Sequence, residues 1–230
     1  MNDYIAFSAY FGAALTLLVY LLAHRIGAKL HHPLANPMLI CLVIMLILLL
    51  VLDIDYDAYN QSAQYITYLL TPATACLALP LYRQIQKLRE YPLAIVAGIV
   101  TGVAVNALCV LAVALIFRLS KADFVTLLPK SVTGAVGMPL ANELGGTGGI
   151  TMAAISVTGL LGNILGPQIL RLFHVTDRVA QGVALGCGSH AFGTVRALEM
   201  GEVEGAMASL SLVITALLTV VVAPFLGNLL

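Results

Sequence analysis

Residues 92–117 read PLAIVAGIVTGVAVNALCVLAVALIF, 26 positions without a single charge. At a rise of about 1.5 Å per residue a helix of this length reaches about 39 Å. The hydrocarbon core of a bilayer is only ~30 Å thick. Backbone N–H and C=O groups in lipid must bond within their own segment, so the run is a helix and not a strand. The pattern recurs on both sides of it. Charge-free runs cover Tyr4–Ala23, Leu34–Leu52, Gln61–Tyr82, Leu144–Leu170 and Gly205–Leu230. Of the 230 residues, 60% are hydrophobic and 10% charged, against about 25% charged in a soluble domain. The mean hydropathy of +1.00 agrees. A soluble domain of this size cannot hide so much apolar surface, so lipid is the solvent for much of the chain. We therefore expect an all-α, polytopic transmembrane helical bundle, built as a single transmembrane domain over 1–230 with candidate halves 1–120 and 121–230.

The same arithmetic excludes a nucleic-acid binder, a disordered chain, a secreted disulfide scaffold and an ordinary cytosolic enzyme. Lys+Arg and Asp+Glu both number 11, so net charge favours no polyanionic partner. Trp is absent, which leaves Tyr and Phe to form any aromatic belt. Cys41, Cys76, Cys109 and Cys187 each lie in an apolar stretch with no paired spacing, so they read as buried thiols, and no metal site is expected. The first four residues, Met1-Asn2-Asp3-Tyr4, carry no basic region, so the first apolar run reads as a retained span.

Two further segments are apolar but rich in helix breakers. Phe124–Asn142 holds Lys130, Pro129 and Pro139. Val179–Leu198 holds Gly182, Gly186, Gly188, Gly193, His190 and Arg196. Neither can be a straight span. Gln61–Tyr82, with Pro72 and Pro80, is a third candidate for a broken helix. Broken helices free backbone groups, which at membrane depth must face protein or a water-filled cavity. Paired broken segments point to a transporter-like site and an internal repeat. Leu70-Thr71-Pro72…Pro80-Leu81 echoes Leu128-Pro129…Pro139-Leu140, and Gly186–Ala197 offers an alternative pairing.

Basic residues set the orientation. Arg25 and Lys29 mark one loop as cytoplasmic, and Arg83, Lys87 and Arg89 mark another. Arg171 and Arg178 join them if Phe124–Asn142 enters and leaves on one side, so the rule favours a re-entrant segment, although Arg118 and Lys121 then lie outside. Asp53, Asp55 and Asp57 fall in an external loop.

A cation at bilayer depth is costly and is read as functional by default. Lys130 is followed by Ser131 and Thr133, while Arg196 closes a stretch that contains Ser189, His190 and Thr194. Two cations, several hydroxyls and an imidazole make a kit for a small carboxylate. His190 could relay a proton. The plainer alternatives are that Lys130 and Arg196 snorkel to an interface or pair with Glu143, Glu199 or Asp123, and that His190 is a core histidine. Asn36 either lines a path or bonds a neighbouring helix. Gly-x-x-x-Gly spacings at Gly98/Gly102, Gly162/Gly166, Gly182/Gly186 and Gly201/Gly205 read as packing faces. No H-E-x-x-H, G-x-S-x-G or phosphate-loop pattern is present, so no catalytic residue is assigned.

These residues resemble the LrgB/CidB/YohK family of membrane proteins over nearly the whole chain. The resemblance is carried by Asn36-Pro37-Met38-Leu39, by the proline-bounded Leu70–Tyr82 containing Thr74, by Leu128-Pro129-Lys130-Ser131-Val132-Thr133, and by Ser189–Ala197. One departure is Gly134-Ala135 after Thr133, where the family often has Thr-Pro. The resemblance implies a multi-pass protein of the bacterial cytoplasmic (inner) membrane without cofactors, with a small membrane partner of the LrgA/CidA/YohJ type. It implies two functions, a holin- or antiholin-like role in murein hydrolase activity and lysis, and transport of small monocarboxylates such as glycolate, glycerate or pyruvate. A homo-oligomer is the expected assembly. We expect the carboxylate site to draw on Lys130, Ser131, Thr133, Ser189, His190, Thr194 and Arg196, with Asn36 and Thr74 beside the path, and the mechanism to be alternating access, with proton coupling through His190.

A re-entrant Phe124–Asn142 makes a sidedness prediction. Single cysteines at Glu143 and Thr147 should react with an impermeant thiol reagent from the same side as a cysteine at Asp57. Labelling together with a cysteine at Lys87 would show a crossing instead.

Overall fold

The computed structural model describes residues 10–30, 36–69, 72, 76, 82–83 and 85–229. All regular structure among them is helical. Four helices among the described residues are long and apolar enough to cross a membrane. The chain forms two compact units, Met1–Cys76 and Leu77–Leu230.

The first unit holds α1 (Phe11–Leu30), α2 (Pro37–Val51) and α3 (Tyr56–Tyr68). Helix α1 runs on past Ala23 through Arg25 and Lys29, because long basic side chains can reach an interface without breaking the backbone ladder. Gly12 brings α1 against α3: its N–H donates to the Ser62 hydroxyl at 2.7 Å, and a Cβ there would overlap the Tyr59 carbonyl. Asn36 caps α2 by accepting from the Met38 N–H at 2.8 Å, and Pro37 takes the first helical position. The expected span over Gln61–Tyr82 lies partly outside the described residues, and Thr74 and Pro80 lie wholly outside them.

The second unit begins with α4 (Ile85–Glu90) and the long α5 (Pro92–Phe117). Arg118, in the left-handed conformation at φ 52°, stops α5. Next come the short α6 (Lys121–Leu127), opened by a Ser120–Asp123 capping box, and α7 (Gly134–Glu143). Neither α6 nor α7 is long enough to span. Together they form a hairpin. The Thr147 N–H donates to the Thr126 hydroxyl at 2.8 Å, so the chain is back beside Thr126 after 21 residues. Thr151 donates to the Thr126 carbonyl at 2.9 Å. The segment 124–142 therefore turns back instead of crossing.

Helix α8 (Gly148–Leu172) leads to α9 (Arg178–Met200), which is two arms and not one rod. Ser189 (φ −134°, ψ 17°) and His190 (φ 41°, ψ −131°) break it. A Cβ on Gly193 would overlap the Leu185 carbonyl. In a continuous helix eight residues are about 12 Å apart, so the second arm folds back on the first. Ala197 and Leu185 accordingly share one buried cluster. The chain ends in α10 (Glu202–Leu226).

Contacts fix the two ends of this unit. At one end Tyr91 and Asp177 line the same cavity and Arg178 meets Glu204 at 3.7 Å. At the other, Lys121 donates to Asn228 at 3.3 Å, and Val110, Ala114, Phe124, Val125 and Ala223 form a buried cluster. Three helices, α5, α8 and α10, run the full distance, while the α6–α7 hairpin enters from the Asn228 end and the α9 hairpin from the Tyr91 end. The order long helix then hairpin occurs twice, as α5 with α6–α7 and as α8 with α9, in opposite senses. That is the form of an inverted repeat, and it couples segment 124–142 to the stretch around Gly186–Ala197. Arg171 and Arg178 lie at the Tyr91 end, away from Lys121.

Small residues make the packing close. Gly98 and Gly102 of α5 face Val183 and Cys187 of α9. Gly162 and Gly166 of α8 face Ser189 and Leu185, and Gly182 and Gly186 of α9 face α10. Replacing Gly186 by Ala should drive a methyl group into the Ala208 carbonyl and the Ser211 hydroxyl. We expect a loss of about 1–3 kcal/mol, seen as a lower melting temperature in detergent. Gly149→Ala, whose methyl group meets nothing within 4 Å, should leave the melting temperature unchanged.

Candidate functional site

The tip of the first hairpin is Leu128–Thr133, where the backbone leaves the helix and needs partners. Asn106 supplies them from near the middle of α5. Its amide donates to the Leu128 carbonyl at 3.1 Å, and its oxygen accepts from the Ser131 hydroxyl at 2.9 Å. Thr133 sits at the N-cap of α7 without a side-chain capping bond. Lys130, between these anchors, is half-buried. Its ammonium has no hydrogen bond or carboxylate partner among the described residues. Lys130 and Ser131 line a cavity of about 450 Å³ with Asn106 and Cys109 of α5 and with Cys187 and Gly188 of α9. A second cavity of about 360 Å³ shares Gly98, Val183 and Ala184 with it and reaches Tyr91 and Asp177. A groove along α5 and the first arm of α9 therefore runs from the Tyr91 end to Lys130.

The tip of the second hairpin is Ser189-His190. His190 is 1% exposed, and its Nε2 donates to the Ile155 carbonyl at 3.0 Å. Its ring stands edge-on to Phe192, with centroids 5.5 Å apart. The Thr194 hydroxyl donates to the His190 carbonyl at 2.9 Å, and the Asn163 amide donates to the Phe192 carbonyl at 2.8 Å. A positive φ at a histidine is sparsely populated and persists only when its surroundings hold it. Those bonds, with Gly159 and Gly162 clearing space for His190 and Ser189, do so.

The structure thus brings Lys130 and Ser131 to one cavity and gathers Ser189, His190 and Thr194 at the tip that ends beside Gly188. Arg196 lies on the outgoing arm. It donates to Glu199 at 2.7 Å and is not among the residues lining the Lys130 cavity, while its Nε is buried without a partner among the described residues. Asn36 is a helix cap in the first unit, and Thr74 is outside the described residues. The four thiols are free and not uniformly buried: Cys187 is buried and accepts from the Thr215 hydroxyl at 3.2 Å, whereas Cys109 faces the open cavity and Cys76 is exposed. Sequence reasoning overlooks Asn106. The available signal was its standing as the one amide in an otherwise apolar run.

The chain matches a family model described as the LrgB-like family over residues 16–229. It is 39% identical over 226 residues to a holin-like protein CidB of Staphylococcus epidermidis, covering 98% of each chain. A holin-like protein CidB of Staphylococcus aureus is 38% identical over the same length. An antiholin-like protein LrgB of Bacillus cereus is 34% identical over 220 residues, 94% of each chain. No solved structure matches the chain.

If Asn106 seats the first tip, Asn106→Leu should leave the Leu128 carbonyl without its partner. The expected loss is roughly 1–3 kcal/mol, read as a lower unfolding temperature in detergent. A drop no larger than that of Val113→Ile, on the exposed face of α5, would show that the tip is held by other groups.

Proposed function

Because the chain belongs to the LrgB-like family, we propose that it is a multi-pass bacterial membrane protein of the holin/antiholin-like kind whose physical activity is selective passage of small monocarboxylates. The relatives' names favour the first half of this reading. The observation that carries the second is Lys130, a half-buried cation without a counter-charge among the described residues, set where hairpins from opposite ends approach one another. A lysine at helix centre costs about 2.5–3.5 kcal/mol in a membrane, and an anion that reaches it offsets that cost. The carboxylate binds the Lys130 ammonium, with Ser131 and the α7 N-terminus at Thr133 beside it. Ser189, His190 and Thr194 hold the facing tip, and Arg196 waits on its outgoing arm.

The inverted repeat supports alternating access, since exchanging the conformations of two mirrored halves opens the same site to the other side. The groove to the Tyr91 end is then one of the two routes. A proton-coupled version uses His190 as carrier. Any influence on murein hydrolases and lysis follows from altered acid balance, alone or with a small membrane partner. The competing reading is a holin-like lesion. It is favoured by the printed names of the relatives and requires no anion site.

Uptake of labelled pyruvate, glycolate and glycerate into proteoliposomes separates the two. A charge-assisted hydrogen bond is worth about 1.5–3 kcal/mol, so Lys130→Ala should weaken saturable uptake by roughly tenfold or more without a matching loss of thermal stability. Release of large trapped dyes with no saturable uptake would establish the lesion and return Lys130 to a structural role. Uptake that keeps its pH dependence in His190→Gln would remove His190 as the proton carrier.

A further inference from the structure

Gly188 is the last residue of the incoming arm before the Ser189-His190 reversal. The other glycines of this hairpin have clear reasons. A side chain on Gly182 or Gly186 would strike α10, and one on Gly193 would strike the Leu185 carbonyl. Gly188 has no such reason. A Cβ placed on it meets no atom within 4 Å. Its backbone is helical, since Ser189 and His190 are the residues of α9 outside helical geometry and Gly145 is the glycine in the left-handed range of φ among the described residues. Glycine is a poor helix former. Neither packing nor backbone conformation therefore calls for a missing side chain here. What Gly188 borders is the cavity that Lys130 lines from the other hairpin.

We infer that Gly188 is the size-determining position of the anion site. Its absent side chain leaves room in the cavity that Lys130 also lines for the carbon chain of the bound acid, so the site accepts monocarboxylates by length and a larger residue at 188 removes the longest first. This rests on the anion-site reading given above and adds to it the residue that selects among acids.

Cys109 provides a readout separate from transport, because it is exposed and lines the same cavity. The test uses the full chain with Cys41 and Cys76 replaced by serine, leaving Cys109 and the buried Cys187. The rate of alkylation by N-ethylmaleimide is measured with straight-chain monocarboxylates of two to six carbons as protectants. In the unsubstituted protein these acids should slow alkylation, and Lys130→Ala should abolish the protection. Gly188→Ala should weaken protection by the longest effective acid about tenfold, the usual effect of one methylene in a fitted pocket, while protection by acetate stays within twofold. Gly188→Leu should remove protection by every acid. Gly188→Ala should melt no lower than the parent, because its methyl group touches nothing, and Gly149→Ala, the other helical glycine with open space, should keep the parental chain-length profile. An unchanged profile in Gly188→Ala and Gly188→Leu would overturn the size role while leaving the anion site standing. No protection by any acid in the unsubstituted protein would overturn both.

Discussion

Hydrocarbon offers a backbone no hydrogen-bond partners. The second unit twice reverses its chain far from either end, at 128–133 and at 189–190, and each reversal exposes amides and carbonyls that lipid would penalise. The rest of the unit is arranged around seating these two tips. Asn106 binds the first from α5. Asn163 and the Ile155 carbonyl bind the second from α8. The long helices α5 and α8 are thus not only walls but also the partners that make irregular backbone tolerable at depth. The glycines of α5, α8 and α9 follow from the same need, because a tip can be bonded only where helices approach closely.

Seating the tips has a chemical result. The first tip carries Lys130, and the Asn106 bonds around it satisfy the Leu128 carbonyl and the Ser131 hydroxyl, while the ammonium has no partner among the described residues. The cavity beside it continues along α5 and α9 toward the Tyr91 end and is also lined by Gly188. A structural ion pair would have brought a carboxylate to Lys130. Arg196 shows that alternative on the same unit, since it takes Glu199 as its partner. The contrast between a cation paired with Glu199 and one without a carboxylate partner among the described residues is the physical ground of the proposal made for Lys130.

Membership of the LrgB-like family and the transmembrane, all-helical class were legible in the sequence. Hydropathy alone marks 92–117 as a span, and the structure ends that helix at the same residues. The breakers Pro129, Pro139 and Gly186–Gly193 announced that two further segments could not cross as rods. Charge placement favoured a return of 124–142 to its own side, and the Thr126–Thr147 bond agrees. The motifs around Lys130 and His190 also stood out, because charge and imidazole are conspicuous among aliphatic side chains.

Other features are properties of three-dimensional proximity. The fold-back of α9 rests on a dihedral reversal at His190, a residue type with no preference for it. Asn106 acquires meaning only when a hairpin tip lands on it. The separation of Arg196 from the Lys130 cavity depends on which way the outgoing arm returns. Sequence by itself determined what must be buried in lipid and where helices must break, since those follow from the transfer energy of each residue and the covalent limits of proline and glycine. The tertiary structure alone decided which broken ends meet, which cation lines a cavity without a carboxylate partner among the described residues and which glycine faces open space, since these depend on contacts between segments that the order of residues does not place side by side.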